Sequence, residues 1–208
     1  MGMKQFMAAQ LRQPSGWFGT LVMTRMLNKV NSQIVGRTLE LLQVQPDHQV
    51  LEIGFGGGSA LMLAAAKLRS GKATGLDLSP EMVTQAQRKF RHLIAGGRIA
   101  VQQGDVSKLP FADATFDRVF TINTIYFWPD TMQGLSEIKR VLKPDGLVAI
   151  GIRSKEKMEK QSLTKYNFRL FTKEDLESAV RQAGFRNVLI EATDQEHWYD
   201  QVIAVGRR

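Results

Sequence analysis

Val50-Leu51-Glu52-Ile53-Gly54-Phe55-Gly56-Gly57-Gly58-Ser59, with an Ala/Leu-rich run behind it through Leu68, is the stretch that decides the fold. It reads as a short buried strand, a glycine turn and then a helix. Glycines at such a turn let the backbone approach a ligand closely, and the helix N-terminus presents free N–H groups. A turn of this kind belongs to open α/β sheets, in which ligands sit beyond the carboxyl ends of the strands.

The pattern continues downstream. Pro46-Asp47 punctuates the entry to a first strand, Gln49–Ile53, and Gly71-Lys72 marks the end of the helix after the turn. A second strand, Ala73–Asp77, runs into Ser79-Pro80-Glu81. There Ser79 suits an N-cap, Pro80 the first turn and Glu81 the helix dipole. That helix carries Met82, Val83, Ala86 and Phe90 on one face and should end at Gly96-Gly97. A third strand, Arg98–Gln102, leads to Gly104-Asp105-Val106; a fourth is expected at Phe116–Asn123, and a helix at Thr131–Leu142. Lys143-Pro144-Asp145-Gly146 is a turn signal ahead of a fifth strand, Leu147–Ile152. A charged segment follows over Arg153–Arg169, then a helix opened by Thr172 and ended by Gly184. Strands near Val188–Glu191 and Gln201–Val205 close the chain.

Alternating strands and helices predict an α/β, Rossmann-like, doubly wound sheet of seven strands with helices on both faces. The last two strands leave no room between them for a crossover helix, so the final one should be antiparallel. Ahead of the sheet, residues 1–45 hold five basic residues and one acidic residue. Apolar positions from Leu21 to Leu42 recur there at helical spacing. We read 1–45 as an N-terminal helical cap or lid and 46–208 as the main domain.

Composition narrows the chemistry. With 43% apolar and 23% charged residues in 208, the chain is an ordinary globular protein, most simply one domain with an appendage. It has no run of about 18 apolar residues, as a membrane-spanning helix requires. Zero cysteines exclude disulfides, thiolate metal sites and cysteine nucleophiles. The N-terminal stretch has no continuous apolar signal core, which makes the cytoplasm the default location. A net charge of +8 invites an anionic partner, nucleic acid or lipid, or is simply a basic surface.

Two cofactor types compete for the glycine turn. A dinucleotide site wants Gly-x-Gly-x-x-Gly, and here the third position is Ser59. The pattern acidic-x-Gly-x-Gly-x-Gly is met in full by Glu52, Gly54, Gly56 and Gly58. Asp77 at the end of the second strand suits ribose hydroxyls in either case. The chain then presents, in order, Gly75-Leu-Asp77-Leu-Ser-Pro80, Gly104-Asp105-Val106, Leu109-Pro-Phe111 with Phe116-Asp117, and Arg140-Val-Leu-Lys-Pro-Asp-Gly146. Together these resemble the class I S-adenosylmethionine-dependent methyltransferases, in particular the small type-11 group with its ubiquinone/menaquinone-biosynthesis-like enzymes. The resemblance covers residues 46–152 most closely.

The resemblance implies S-adenosyl-L-methionine as cofactor and assigns roles residue by residue. Gly54 and Gly56 would pass under the methionine part, with Gly58 completing the turn. Glu52 would hold the amino group, Asp77 the ribose hydroxyls, and Leu78 would pack on adenine. Asp105 would accept from the adenine amino group, Val106 would read the ring edge through its backbone, and Asn123 would lie near the methionine moiety. For Glu52, Asp105 and Asn123, an ordinary cap or turn role is the alternative.

The acceptor is less defined. Methyl transfer is an in-line displacement for which positioning supplies much of the help, and a base is needed only if the acceptor must lose a proton. Tyr126 is a candidate to orient or deprotonate the acceptor, or a packed aromatic. His197 is a candidate base, or a solvent-facing loop residue. His48 and His92 read as structural. Missing cysteines exclude cytosine-type nucleic-acid chemistry, and Asn123-Thr-Ile-Tyr-Phe-Trp-Pro129 lacks the Asn/Asp-Pro-Pro-aromatic signature of amino-group nucleic-acid enzymes. The expectation is a small-molecule acceptor. The alternatives are a lipid or quinone precursor met at a membrane surface, and a non-catalytic binding subunit of the same fold.

Overall fold

The computed structural model describes residues 31–160, 169–193 and 201–208. Seven strands form one sheet: β1 (Gln49–Ile53), β2 (Lys72–Asp77), β3 (Ile99–Gln103), β4 (Phe116–Ile122), β5 (Leu142–Arg153), β6 (Arg186–Thr193) and β7 (Gln201–Arg207). Their spatial order is β3-β2-β1-β4-β5-β7-β6. β7 is antiparallel to both its neighbours and the remaining pairings are parallel, as the short final connection requires. The order reverses direction beside β1, which puts the glycine turn at the switch point where such sheets bind ligands.

Both faces of the sheet are buried, which explains why its strands read as nearly unbroken apolar runs. On one face Val50, Ala73, Phe120, Ala149 and Ile203 meet α1 (Ser32–Leu41), α2 (Ser59–Lys67) and α3 (Pro80–Lys89). A short α4 (Arg91–Ala95) follows α3 after a break at Phe90. On the other face Leu51, Ile53, Val119, Val148, Ile150 and Val202 meet α5 (Thr131–Val141) and α7 (Lys173–Gln182). The small α6 (Lys155–Glu159) leaves β5 behind the cap Ser154.

Local signals behave as their chemistry dictates. Ser79 Oγ accepts from the Met82 N–H at 3.3 Å with Pro80 in the first turn, and Thr172 with Asp175 forms a reciprocal capping box. The fifth strand differs from expectation, because it begins at Leu142 rather than Leu147. Phe116 pairs with Leu142 and Arg118 with Leu147, so Lys143 to Gly146 bulge out of the ladder between the two pairs. Asp145, at φ 60°, makes the bend. The Pro-Asp-Gly turn signal thus marks a bulge inside a strand.

α1 crosses the sheet from edge to edge. Asn31, just ahead of it, meets Asn123 at the carboxyl end of β4. At its other end the Leu42 carbonyl accepts from Arg118 Nε at 2.6 Å, near the start of β4. β7 runs the opposite way to its neighbours. Gln201 pairs with Arg153 at the carboxyl edge, and Arg207 pairs with Leu147 at the amino edge, where the Arg208 N–H reaches the Gly146 carbonyl at 3.0 Å.

Candidate active site

The site begins at the glycine turn. The Gly54 N–H reaches back to the Leu76 carbonyl at 2.7 Å and the Gly58 N–H closes on the Phe55 carbonyl at 2.7 Å. Gly54, Gly56 and Gly58 have φ of 73°, 48° and 70°, a region that side-chain-bearing residues avoid. Their surroundings differ. A Cβ on Gly54 would collide with the Thr124 methyl, and one on Gly58 would stand 2.7 Å from the Phe90 ring. A Cβ on Gly56 would meet nothing within 4 Å among the described residues. Two glycines therefore serve packing, and the backbone of Gly56 faces open space.

The turn is braced by residues that the sequence pattern did not single out for it. Lys89 Nζ donates to the Gly57 carbonyl at 2.7 Å from 32 residues away, and lies 5.0 Å over the Phe90 ring. Thr124 is linked by its hydroxyl to Thr121, which donates to the Ile53 carbonyl at 2.9 Å. These braces join distant segments, so no local spacing announces them.

Two carboxylates flank the turn from below. Asp77 Oδ2 accepts from the Gly56 N–H at 2.8 Å and Oδ1 from the Ser79 N–H at 2.9 Å. Burial pushes the Asp77 carboxyl up, against the pull of N–H donors from Ser79, Gly56 and Leu78. Glu52 is 3% exposed, and its Oε2 has no hydrogen-bond partner among the described residues. Burial, and then the Asp77 charge, push its carboxyl up to about 8, opposed by the Leu61 backbone N–H. An unpaired carboxylate so deep is costly unless something positive meets it.

The other expected ligand residues fall around the same edge. Leu78, directly after β2, is 38% exposed, although large apolar residues are usually covered. Asp105 is exposed, with Oδ1 accepting from the Ser107 N–H at 2.8 Å, which is the turn role weighed for it. Val106 is buried. Asn123 has φ of 57° and an amide engaged at both ends: Nδ2 donates to Asn31 Oδ1 at 3.1 Å and Oδ1 accepts from the Tyr126 hydroxyl at 3.1 Å.

Tyr126 lies deeper than an acceptor-facing residue would. It is 3% exposed, its hydroxyl accepts from the Arg153 N–H at 2.5 Å, and burial raises its phenol above the ordinary range. A phenol so placed keeps its proton at physiological pH, and its place in the core is that of the packed aromatic weighed as the alternative. Trp128 is buried against Gly134 of α5, and Phe127 is half-buried. His197 lies outside the described residues. His48 accepts from the Gln45 N–H through Nδ1 at 3.1 Å beside the start of β1, and His92 takes a hydrogen bond from Arg91. Neither is at the carboxyl edge.

A carboxylate-lined glycine turn at the switch point of a sheet with one reversed strand defines the class I S-adenosylmethionine-dependent methyltransferase architecture, and the comparisons agree. Residues 51–150 match a family model described as a methyltransferase domain. A putative methyltransferase, YrhH, of Bacillus subtilis (strain 168) is 32% identical over 145 residues, covering 68% of this chain and 79% of that protein. The ubiquinone/menaquinone biosynthesis C-methyltransferase UbiE of Geotalea daltonii is 35% identical over 130 residues, covering 60% of this chain and 55% of that one. A solved S-adenosylmethionine-dependent methyltransferase from Aquifex aeolicus has the same fold, with a TM-score of 0.73 and 21% identity over 89% of this chain and 97% of its own. This chain belongs to the S-adenosylmethionine-dependent methyltransferase family. Other curated relatives are longer, and the chain spans 32% of one and 60% of another.

The residues present fit that family's cofactor. Glu52 Oε2 is an orphaned acceptor for an ammonium, the open face of Gly56 leaves room for a ligand, and Asp77 keeps lone pairs for hydroxyls beside exposed Leu78.

Proposed function

We propose that this protein transfers a methyl group from S-adenosyl-L-methionine to a small-molecule acceptor by in-line displacement. The observation that carries the reading is the orphaned, buried Oε2 of Glu52 beside the open backbone of Gly56. When bound, the cofactor supplies an electrophilic methyl on a sulfonium. In this reading Glu52 receives the cofactor's ammonium and Gly54, Gly56 and Gly58 shape the turn around its methionine end. Asp77 accepts from the ribose hydroxyls, Leu78 covers one adenine face, and Asp105 with the Val106 backbone reads the ring edge. Asn123 and Tyr126 fix the wall beside the methionine end and leave the acceptor's proton to solvent or to His197. The acceptor is held in line by the surrounding segments, which needs no metal and no covalent intermediate on the protein.

A small acceptor is supported by the absent nucleic-acid signature after β4 and by the name of the Geotalea relative. Residues 1–45 form a cap on the 46–208 methyltransferase domain in this reading, supported by Ser32–Leu41 sharing the α2 and α3 core. Among the described residues no helix is long and apolar enough to cross a membrane. That accords with a cytoplasmic enzyme and leaves peripheral contact, through the basic N-terminal segment, as the second reading. Anionic vesicles that retain the full chain but not a form lacking residues 1–18 would favour the second reading.

The first test is calorimetry with S-adenosylhomocysteine. Binding is expected for the parent and its loss for Asp77→Ala; no binding by the parent, or equal binding by both, overturns the assignment. A radiolabelled methyl-transfer screen over metabolite extracts then identifies the acceptor. Salt-sensitive RNA binding with no turnover on that screen would instead favour a binding subunit.

A further inference from the structure

Glu52 is built into an environment that suits its protonated form. In the sheet it stands between Gly75 on β2 and Phe120 on β4. Gly75 offers no side chain. Its Cβ direction is filled by Phe55 and Leu61, at 2.7 and 2.8 Å from where that atom would be, so the wall next to Glu52 is apolar. The helix over it, α2, carries its one cation, Lys67, in its last turn, far from Leu61. On α3, Lys89 is committed to the Gly57 carbonyl and Arg88 is exposed. On α1, Arg37 is committed to Glu191 at 2.5 Å and to Glu40 at 2.9 Å. Among the described residues, the charge that bears on Glu52 is another carboxylate, Asp77. Asp77 is satisfied by backbone donors and Glu52 Oε2 is not.

A carboxyl with apolar walls, a like-charged neighbour and no cation is more stable with its proton than without it. An ammonium in the same place reverses that balance, because it supplies the missing opposite charge. Burial and Asp77 already set the carboxyl's titration in the neutral range, near 8.

We propose that cofactor loading in this protein is proton-coupled: without ligand Glu52 carries its proton, and the arriving ammonium displaces it to solvent, one proton per molecule bound. The proposal rests on the reading of Glu52 as the ammonium's partner and adds to it a dependence on pH. Cofactor and demethylated product both carry the ammonium, so both are drawn in more tightly as pH rises from the acid side toward neutrality and both are released more readily in acid. The methyl-transfer step itself needs no proton from Glu52.

The experiment is titration calorimetry of the full chain with S-adenosylhomocysteine between pH 5.5 and 7.5. Each pH is run in buffers of different ionisation enthalpy, so that the heat reports protons released. The expected result is release approaching one proton per ligand and an affinity that rises about tenfold per pH unit. Glu52→Gln should bind with a nearly buffer-independent heat, at an affinity close to that of the parent at pH 5.5. An infrared difference spectrum of the parent upon ligand addition should show loss of a protonated carboxyl band, which requires no variant. Binding with a flat pH profile and buffer-independent heat overturns the coupling and leaves the cofactor assignment standing. Release that persists in Glu52→Gln overturns it too. No binding at any pH removes the cofactor assignment and the coupling with it.

Discussion

At the residue scale, Glu52 should leave a mark on stability as well as on binding. Its carboxyl moves from an ordinary value of 4.5 to about 8 on folding, so the native state holds the proton more tightly than the unfolded chain does. Stability then falls as pH rises from about 4.5 to about 8 and levels off beyond, by an amount on the order of a few kcal/mol. In denaturant melts of the ligand-free protein, Glu52→Gln should match the parent near pH 5 and be the more stable of the two near pH 8; parallel profiles would refute this. Asp77, also raised by burial, is present in both proteins, so the difference reports Glu52 together with its coupling to Asp77.

The glycines separate by the same logic. Gly56→Ala places a methyl in open space at φ 48°, so it should cost only about 1–2 kcal/mol of stability while lowering S-adenosylhomocysteine affinity more than tenfold. Gly54→Ala meets the same strain plus the Thr124 methyl and should be the less stable variant. Adding Thr124→Ser removes that methyl and keeps the hydroxyl that bonds Thr121. The double variant should recover part of the loss, and additive thermal shifts would show that the collision is not what matters.

At the scale of elements, the motifs that revealed the family divide into ligand-facing and structural ones. Arg140 on α5 donates to the Leu109 and Phe111 carbonyls at 3.0 and 2.8 Å, pairs with Asp113 at 2.8 Å, and grips Glu137, whose other bond is to the Leu109 N–H. It fastens the segment between β3 and β4 to α5, which explains why Leu109-Pro-Phe111 and Arg140 occur together. Lys143 pairs with Asp117 at 2.9 Å, and Asp117 accepts from the Gln49 N–H at 2.8 Å, joining the starts of β1 and β4 to the β5 bulge. Arg140→Ala leaves two carbonyls without that donor and a mostly covered carboxylate with only the Leu109 N–H; a loss of roughly 1–3 kcal/mol is expected in urea melts. Arg140→Lys, with one point donor for a five-bond fork, should recover less than half of it.

Sequence legibility follows from how local each cause is. The caps at Ser79 and Thr172, the strand Gln49–Ile53 and the glycine turn depend on neighbours in sequence and were readable. Helix Thr131–Val141 and the reversed final strand were readable as well. The break at Phe90 was not, since Phe90 keeps the spacing of Met82 and Ala86 and is buried with them while its backbone, at φ −101° and ψ 15°, leaves the helix. Nor was the burial of Tyr126 and Trp128, because an aromatic after a strand reads alike whether it lines a pocket or a core. Asn123 was placed correctly at the end of β4, but its bond to Asn31 spans 92 residues and carries no local signal.

At the scale of the whole molecule, β7 is the piece that closes the architecture. It lies between β5 and β6, and Gln201 to Gly206 are all buried. Deleting residues 201–208 removes the partner of both neighbours at once and exposes the apolar face under α7. The truncated chain is expected to lose its cooperative melt and its near-ultraviolet dichroism; a sharp transition close to the parent's would contradict this. Ligand should act in the opposite sense, adding about 2.7 kcal/mol at a hundredfold excess over its dissociation constant. A melting shift that saturates with S-adenosylhomocysteine checks it.

The reversal of β7 also has a practical side. Because that strand runs from the ligand edge to the far edge, Arg208 sits at the end of the sheet away from the glycine turn, whereas Asn31 enters α1 at the turn's own edge. A tether, dye or sensor surface attached through Arg208 would therefore present the binding mouth outward to solution, and the same attachment through Asn31 would crowd it.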